Sequence, residues 1–345
     1  MDAYARRLCT APMMDWSDRH CRYFFRQLAP RALVYTEMIT TGALMHGNVA
    51  RHLHFRPEEH PVALQLGGSD PGELAQCARL GRKWGYDEIN LNCGCPSERV
   101  QHGAFGACLM AEPDLVSDCV KAMQDAVGVP VTVKHRLGID RVNDYDFARR
   151  FVDVLAAAGC RTFIVHARNA VLKGLSPKDN REIPPLRYAE VYRLKREFPD
   201  LTIVINGGVA AWLEIEQHLV HVDGVMLGRA AYHDPYLLAQ TDRRFHGNAS
   251  SPTRAQVVEA MYEYARDEVK RGTSLRAIAR HMLGLFHGQP QARLWRKILS
   301  DAPRLMRNDA GLLIEALEAI VIRSAEGSEQ LVCADRAVGL GGAAS

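Results

Sequence analysis

The stretch VPVTVKHR, residues 129–136, sets Val131 and Val133 at alternate positions with Thr132, Lys134 and Arg136 between and beyond them. Successive side chains of a β-strand point to opposite faces, so this is a strand with one apolar face and one that turns polar, then charged, toward its C-terminal end. The same division recurs along the chain. In VALQL (62–66) Val62, Leu64 and Leu66 oppose Ala63 and Gln65, and in EINLN (88–92) Ile89 and Leu91 oppose Asn90 and Asn92. In TFIVHAR (162–168) Phe163 and Val165 oppose Ile164, His166 and Arg168, and in LTIVING (201–207) Ile203 and Ile205 oppose Val204 and Asn206. LCTAPM (8–13), ALVYTEM (32–38) and DGVMLGR (223–229) complete eight runs, each followed by a helix-like stretch. Eight strands alternating with helices predict an α/β fold, a (β/α)8 TIM barrel. Every second side chain of a barrel strand faces the axis, and the apolar set belongs against the helix shell, which sends the polar set inward.

The connecting segments have the composition such a barrel needs. After the first run Ser17 is placed to cap a helix whose Cys21, Phe24, Phe25 and Leu28 recur at helical spacing. Pro113 opens another, with Val116, Cys119, Val120, Met123 and Val127 on one stripe. HGNASSPTRAQ, residues 246–256, is small and polar and reads as a linker. Beyond it Val258, Met261, Tyr262, Ala265 and Val269 share a helix face, and no strand pattern returns. The expected organisation is a barrel over 1–245, a linker over 246–256, a small all-helical domain over 257–328 and a tail over 329–345 ending in GLGGAAS.

The totals bound the class of protein. Of 345 residues 47% are hydrophobic and 24% charged, enough apolar material for a large core and a second small domain. No run of 18 or more apolar residues is present, and the opening MDAYARRLCTAPMMDW lacks the regions of a signal peptide, so the expected location is cytoplasmic, with no membrane partner. Nine cysteines, an odd number without CxxC spacing, fit a reducing compartment. The net charge is only +3, yet between Arg266 and Lys297 eight basic residues face two acidic ones. A basic C-terminal segment on a mildly acidic body suits a polyanion such as a nucleic acid.

Five consecutive strands finish their inward set in a polar group: Gln65, Asn92, Lys134, His166 and Asn206. A buried polar group left unpaired costs about 1–3 kcal/mol, so five at the mouth where such barrels carry their active sites point to one polar ligand. Asn206, Gly207 and Gly208 follow the seventh strand, and Gly228 and Arg229 the eighth. Glycine lets backbone N–H groups approach an anion closely, and these two loops commonly cradle a phosphate in this architecture. Neither GxGxxG nor GxxxxGK[ST] occurs, which sets aside a Rossmann unit and a P-loop. A phosphate cradle beside a polar ring of side chains describes a flavin mononucleotide (FMN) site, with Lys134 over the pyrimidine portion of the flavin.

LNCGCPSERV, residues 91–100, adds two cysteines. Zinc needs four ligands, and nearby only His102 and Cys108 could join them, at unsuitable spacings. Parity puts Cys93 with Ile89 and Leu91 against the shell. Cys95, past Gly94 and held by Pro96, is expected to project over the mouth, where a thiol of pKa about 8.5 can serve as a general acid or a nucleophile.

With these residues in view the chain resembles the tRNA-dihydrouridine synthases, most closely their DusA subfamily. The resemblance is carried by APMMDWSDRHCRYFFR, YTEMITTGAL, VALQLGG, INLNCGCPSERVQHGAFGACLM, VTVKHRLGID, VHARNAVLKGLSPKDNREIPPLRY, INGGV, DGVMLGRAAY and RHMLGLFHGQPQARLWRKILS, across nearly all of residues 7–305. It implies FMN contacts from Pro12, Met13, Met14, Gln65, Lys134, His166, Asn206, Gly207, Gly208, Gly228 and Arg229. It also implies Cys95 as the catalytic thiol, Asn92 beside the substrate uridine, and tRNA contacts from Lys178, Arg181, Arg293 and Arg296. The implied reaction is NADPH-driven reduction of the C5–C6 bond of D-loop uridines, at positions 20 and 20a for this subfamily, with no obligatory protein partner. Cys93 departs from the family pattern, which has an aliphatic residue there. Two other readings use fewer of these residues. A flavin reductase of a free pyrimidine or another small enone leaves the basic segment idle, and a catalytically silent tRNA-binding module leaves Cys95 and the polar mouth idle.

Overall fold

The structure is a computed structural model, and it describes residues 6–97, 103–140, 144–246 and 251–323. Eight strands form one parallel sheet: β1 (Leu8–Thr10), β2 (Val34–Thr40), β3 (Val62–Gly67), β4 (Glu88–Cys93), β5 (Val131–Arg136), β6 (Thr162–His166), β7 (Thr202–Asn206) and β8 (Gly224–Leu227). They run in the order β1-β8-β7-β6-β5-β4-β3-β2. The ends meet through a bridge between Cys9 and Leu33, where Thr10 N–H donates to the Leu33 carbonyl and Leu33 N–H to the Leu8 carbonyl, each at 3.0 Å. The strands therefore curl into a (β/α)8 barrel.

The alternation in the sequence is the alternation of the barrel wall. Val62, Leu64, Ile89, Leu91, Val131, Val133, Phe163, Val165, Ile203 and Ile205 join the large core shared with the helices. Ala63, Ile164, Val204 and Met226 pack with Cys9, Leu33 and Tyr35 in a separate small core inside the barrel. Cys93 lies with the shell set, fully buried.

The first helix, Arg19–Leu28, buries Cys21, Phe24, Phe25 and Leu28 as its spacing predicts, but its cap is Asp18, whose carboxylate accepts from the His20 and Cys21 amides. Ser17 turns back instead and closes the loop after β1: its hydroxyl accepts from Met13 N–H at 2.8 Å. Pro113 opens the helix Pro113–Ala126, whose stripe of Val116, Cys119, Val120 and Met123 is buried.

Past the barrel come the helices Arg254–Lys270, Leu275–Ala279, Ala292–Leu299 and Ala302–Met306 and a helix over 312–323. On Arg254–Lys270 the buried face carries Tyr264 and Glu268, while Tyr262 and Val269 are only partly covered. Tyr264 stacks on Tyr23 with ring centroids 4.0 Å apart, and its hydroxyl lies 2.7 Å from His20 Nδ1. Glu268 receives Arg19 at 2.7 Å and Arg56 at 2.8 Å, both from the barrel side. The barrel shell and these helices thus share one continuous core. The tail over 329–345 and part of the linker lie outside the described residues. No helix among the described residues is long and apolar enough to cross a membrane.

Candidate active site

The C-terminal ends of the strands bring the inward polar set together. Register pairs Asn92 with Lys134, Arg136 with His166, and His166 with Asn206. Gln65 is buried and held on both sides: its Nε2 donates to Asn90 Oδ1 at 2.7 Å, and its Oε1 accepts from Asn92 Nδ2 at 2.8 Å. Asn206 donates through Nδ2 to the Met226 carbonyl at 2.8 Å.

Cys95 sits on a turn anchored from three directions. Asn92 Oδ1 accepts from Gly94 N–H at 3.1 Å and from Cys95 N–H at 3.0 Å. Arg136 Nε donates to the Gly94 carbonyl at 2.9 Å, and Ala107 N–H donates to the Cys95 carbonyl at 2.9 Å. The thiol is half-buried, 3.5 Å from Ser97 Oγ, and close enough to Lys134, Arg136 and Arg181 to act on their protonation. It therefore faces the cationic mouth, whereas Cys93 is sealed in the shell with its thiol pushed well up by burial. The expectation for His102 falls outside the described residues, which contain no cluster able to hold a metal ion.

Lys134 has no acidic partner among the described residues. Burial, and next Arg136, push its ammonium down to about 7, with Cys95 acting in the opposite sense. His166 is held neutral, first by burial and then by Arg136 and Lys134, and its buried Nδ1 has no partner among the described residues. Orphan polar atoms and a cation without a counter-charge are what a site built for a polar, electron-rich ligand looks like from the protein side.

The loops after β7 and β8 complete the mouth. Gly207 and Gly208 have φ of 109° and 76°, a region that favours glycine. A Cβ on Gly208 would sit 2.6 Å from Leu186 and 2.7 Å from the Tyr188 hydroxyl, which donates to the Gly207 carbonyl. The amides of Gly207, Gly208, Gly228 and Arg229 have no acceptor among the described residues. Arg229 pairs with Glu182, and Arg168 and Arg181 lie close enough to feel its charge. Three guanidinium groups and one carboxylate leave an excess of positive charge beside free amides, which suits a phosphate. These residues fit a flavin mononucleotide: donors for its phosphate at one side, and Gln65, Lys134 and His166 for its polar ring edge.

Other expected residues lie around this centre. Met13 packs partly against the interior core, Pro12 is half-covered and Met14 is 56% exposed. Lys178 and Arg181 are exposed on the short helical turn after β6. Arg293 and Arg296 are exposed on Ala292–Leu299, opposite the buried Trp295, whose Nε1 donates to the Met282 carbonyl at 2.9 Å. The helical region meets the mouth where His281 and Arg280 reach Asp18 at 3.0 and 2.7 Å, and where His281 Nδ1 lies 3.2 Å from the hydroxyl of Tyr232, a barrel residue that stacks on Trp16 at 4.2 Å. Arg280, counted in the sequence as part of the basic surface, is thus committed to an ion pair. Two residues gain a role the sequence did not single out. Arg136 also holds the Asn169 and Asn180 carbonyls at 2.9 and 3.0 Å, tying the β5 end to the loop after β6. Arg168 carries a buried Nε that has no partner among the described residues.

Comparison with known proteins agrees with this geometry. The profile of the family "Dihydrouridine synthase (Dus)" matches residues 9–321. A tRNA-dihydrouridine(20/20a) synthase of Synechocystis sp. is 57% identical over 319 residues, covering 92% of this chain and 96% of its own. The enzyme of that name from Escherichia coli (strain K12) is 56% identical over 321 residues, 92% of each chain, and that from Yersinia pestis 54% over 317 residues, 91% of this chain and 92% of its own. Shared identity over nearly the whole length, together with a thiol anchored above a cationic barrel mouth, places the sequence: this chain belongs to the dihydrouridine synthase family, flavin-dependent enzymes that reduce uridine in tRNA.

Proposed function

We propose that this protein is, like the relatives so named, a tRNA-dihydrouridine(20/20a) synthase, and that it uses FMN, takes its electrons from NADPH and works in the cytoplasm on the D-loop of tRNA. The observation that carries the reading is the Cys95 turn, fixed by Asn92, Arg136 and Ala107 beside Lys134 at the barrel mouth. FMN supplies, when bound, the hydride that uracil C6 accepts.

The chain's own residues do the rest. Gln65, Lys134, His166 and Asn206 hold the ring system, with Pro12, Met13 and Met14 along the β1 loop; Gly207, Gly208, Gly228 and Arg229 hold the phosphate. Hydride arriving at C6 leaves negative charge toward C5 and O4 of the uracil, and Cys95 gives its proton to C5. Asn92, already engaged with the Cys95 amide, keeps the thiol at the substrate's edge. A base in folded RNA must leave its stack to enter a barrel, at a cost of a few kcal/mol, which backbone contacts offset. Lys178 and Arg181 at the mouth, and Arg293 and Arg296 on the basic helix, are placed to make them.

The test is nucleoside mass spectrometry of an unmodified tRNA transcript incubated with the FMN-loaded protein and NADPH. Two hydrogens should be gained at each of uridines 20 and 20a, with none gained by free uridine. Reduction of free uridine at a similar rate would favour the small-substrate reductase, and no product on either would refute the proposal.

A further inference from the structure

Beneath the mouth lies a line of buried polar side chains that runs up to Gln65 and Asn92, and its lower members, Glu88, Thr132 and Asn90, have no part in the proposed reaction. Glu88, on the axis side of β4, is fully buried and receives Arg6 Nη2 at 2.6 Å, the Tyr35 hydroxyl at 2.6 Å and the Thr132 hydroxyl at 2.7 Å. Thr132 Oγ1 in turn accepts from Asn90 Nδ2 at 2.8 Å, Asn90 Oδ1 from Gln65 Nε2, and Gln65 Oε1 from Asn92 Nδ2. The line ends where Asn92 Oδ1 accepts from the Gly94 and Cys95 amides.

The direction of this line follows from elementary chemistry. A carboxylate only accepts, so the Thr132 hydroxyl must spend its single hydrogen on Glu88 and can only accept from Asn90. That turns the Asn90 carbonyl toward Gln65, the Gln65 carbonyl toward Asn92, and the Asn92 carbonyl toward the turn. An amide reversed anywhere would set donor against donor at the next contact. At the far end the partners are backbone N–H groups, which only donate, so both ends demand one polarity. Burial and the adjacent Glu88 keep the Tyr35 phenol protonated, consistent with its donating.

We propose that Glu88, Thr132 and Asn90 are positioning residues: the Glu88 carboxylate sets the direction of a hydrogen-bond relay that fixes the Cys95 turn and decides which face of the Gln65 amide meets the cofactor site. The relay rests on the proposed role of Cys95 for its catalytic consequence, but not for its effect on the turn. Replacing Glu88 by Gln would leave Arg6 claiming the one remaining oxygen and turn an N–H₂ toward Thr132. The hydroxyl could then donate to Asn90, which would leave only the Gly94 and Cys95 amides to hold the line's polarity and would loosen their hold on Asn92.

Thr132 separates polarity from packing. Thr132→Val keeps the shape and removes the hydroxyl, while Thr132→Ser keeps the hydroxyl and removes a methyl. Amide hydrogen exchange of the peptide spanning residues 91–97, read by mass spectrometry on the holoenzyme, should quicken at least tenfold in Thr132→Val and stay at the wild-type rate in Thr132→Ser. The peptides of β6 and β7 should be unchanged in both. kcat for tRNA should fall with exchange in Thr132→Val while KM holds. Glu88→Gln carries the same test if Thr132→Val does not fold. Wild-type exchange in Thr132→Val, or equal disturbance by Thr132→Ser, would overturn the relay. Quickened exchange with unchanged kcat would instead leave the relay standing and count against Cys95 as proton donor.

Discussion

At the scale of the residue, Lys134 shows how surroundings set a job that identity alone leaves open. Burial and Arg136 bring its ammonium down to about 7. An anionic group bound beside it favours the charged form, so binding above that value must draw in a proton. FMN affinity of the apoprotein should therefore be highest below pH 7 and decline as the pH rises through it. Calorimetry at pH 8 in two buffers of different ionisation enthalpy should register proton uptake in the wild type and its loss in Lys134→Met; equal heats for the wild type in both buffers would take Lys134 out of the site. Lys134, Gln65, His166 and Asn206 were legible because strand parity is local, and two residues of context decide which way each points. Arg136 belongs to the same inward set, yet its partners at Gly94, Asn169 and Asn180 lie 42, 33 and 44 positions away. No local pattern reports them. Ser17 and Asp18 are adjacent and equally able to cap, and only the course of the Met13 loop decides between them.

At the scale of the element, Ala292–Leu299 divides its duties by face: Trp295 is sealed inside, and Arg293, Arg296 and Lys297 stand outside. Cations displayed this way contact phosphate without reading sequence, and each contact releases counterions. Arg293→Ala with Arg296→Ala should weaken tRNA binding at every salt concentration and lower the slope of log affinity against log salt by roughly one to two. FMN affinity should not move. Filter binding across a salt series measures both, and an unchanged slope would place the tRNA elsewhere. The run of charge in the sequence indicated this surface but overcounted it. Arg280 is neutralised by Asp18, 262 positions away, and a tally of charges contains no information about pairing at that distance. Glu268, one of two acidic residues in the run, is the reverse case: although burial alone would raise it, Arg19 and Arg56 bring it down to about 2, so it serves as the anchor for barrel cations.

At the scale of the molecule, one core continues from the barrel to the C-terminal helices, and two histidines packed against it respond to acid together. Burial lowers His20 and His135 to about 4 each. Between those values and the ordinary histidine value of about 6.5 the unfolded chain binds more protons, so the stability they permit is present above pH 6.5 and is lost as pH falls toward 4. Each is worth up to about 3 kcal/mol, and the urea midpoint should drop clearly from pH 7.5 to pH 5. Equal midpoints would mean that these rings are already charged in the fold. In the proposed function the architecture as a whole holds the Cys95 thiol above the barrel mouth, where it gives up a proton. Rapid mixing of the fully reduced holoenzyme with unmodified tRNA, followed by flavin absorbance without oxygen, tests this most directly. Cys95→Ala should reoxidise about 10²–10⁴-fold more slowly than the wild type while being reduced by NADPH at the same rate; reoxidation at the wild-type rate would contradict the account.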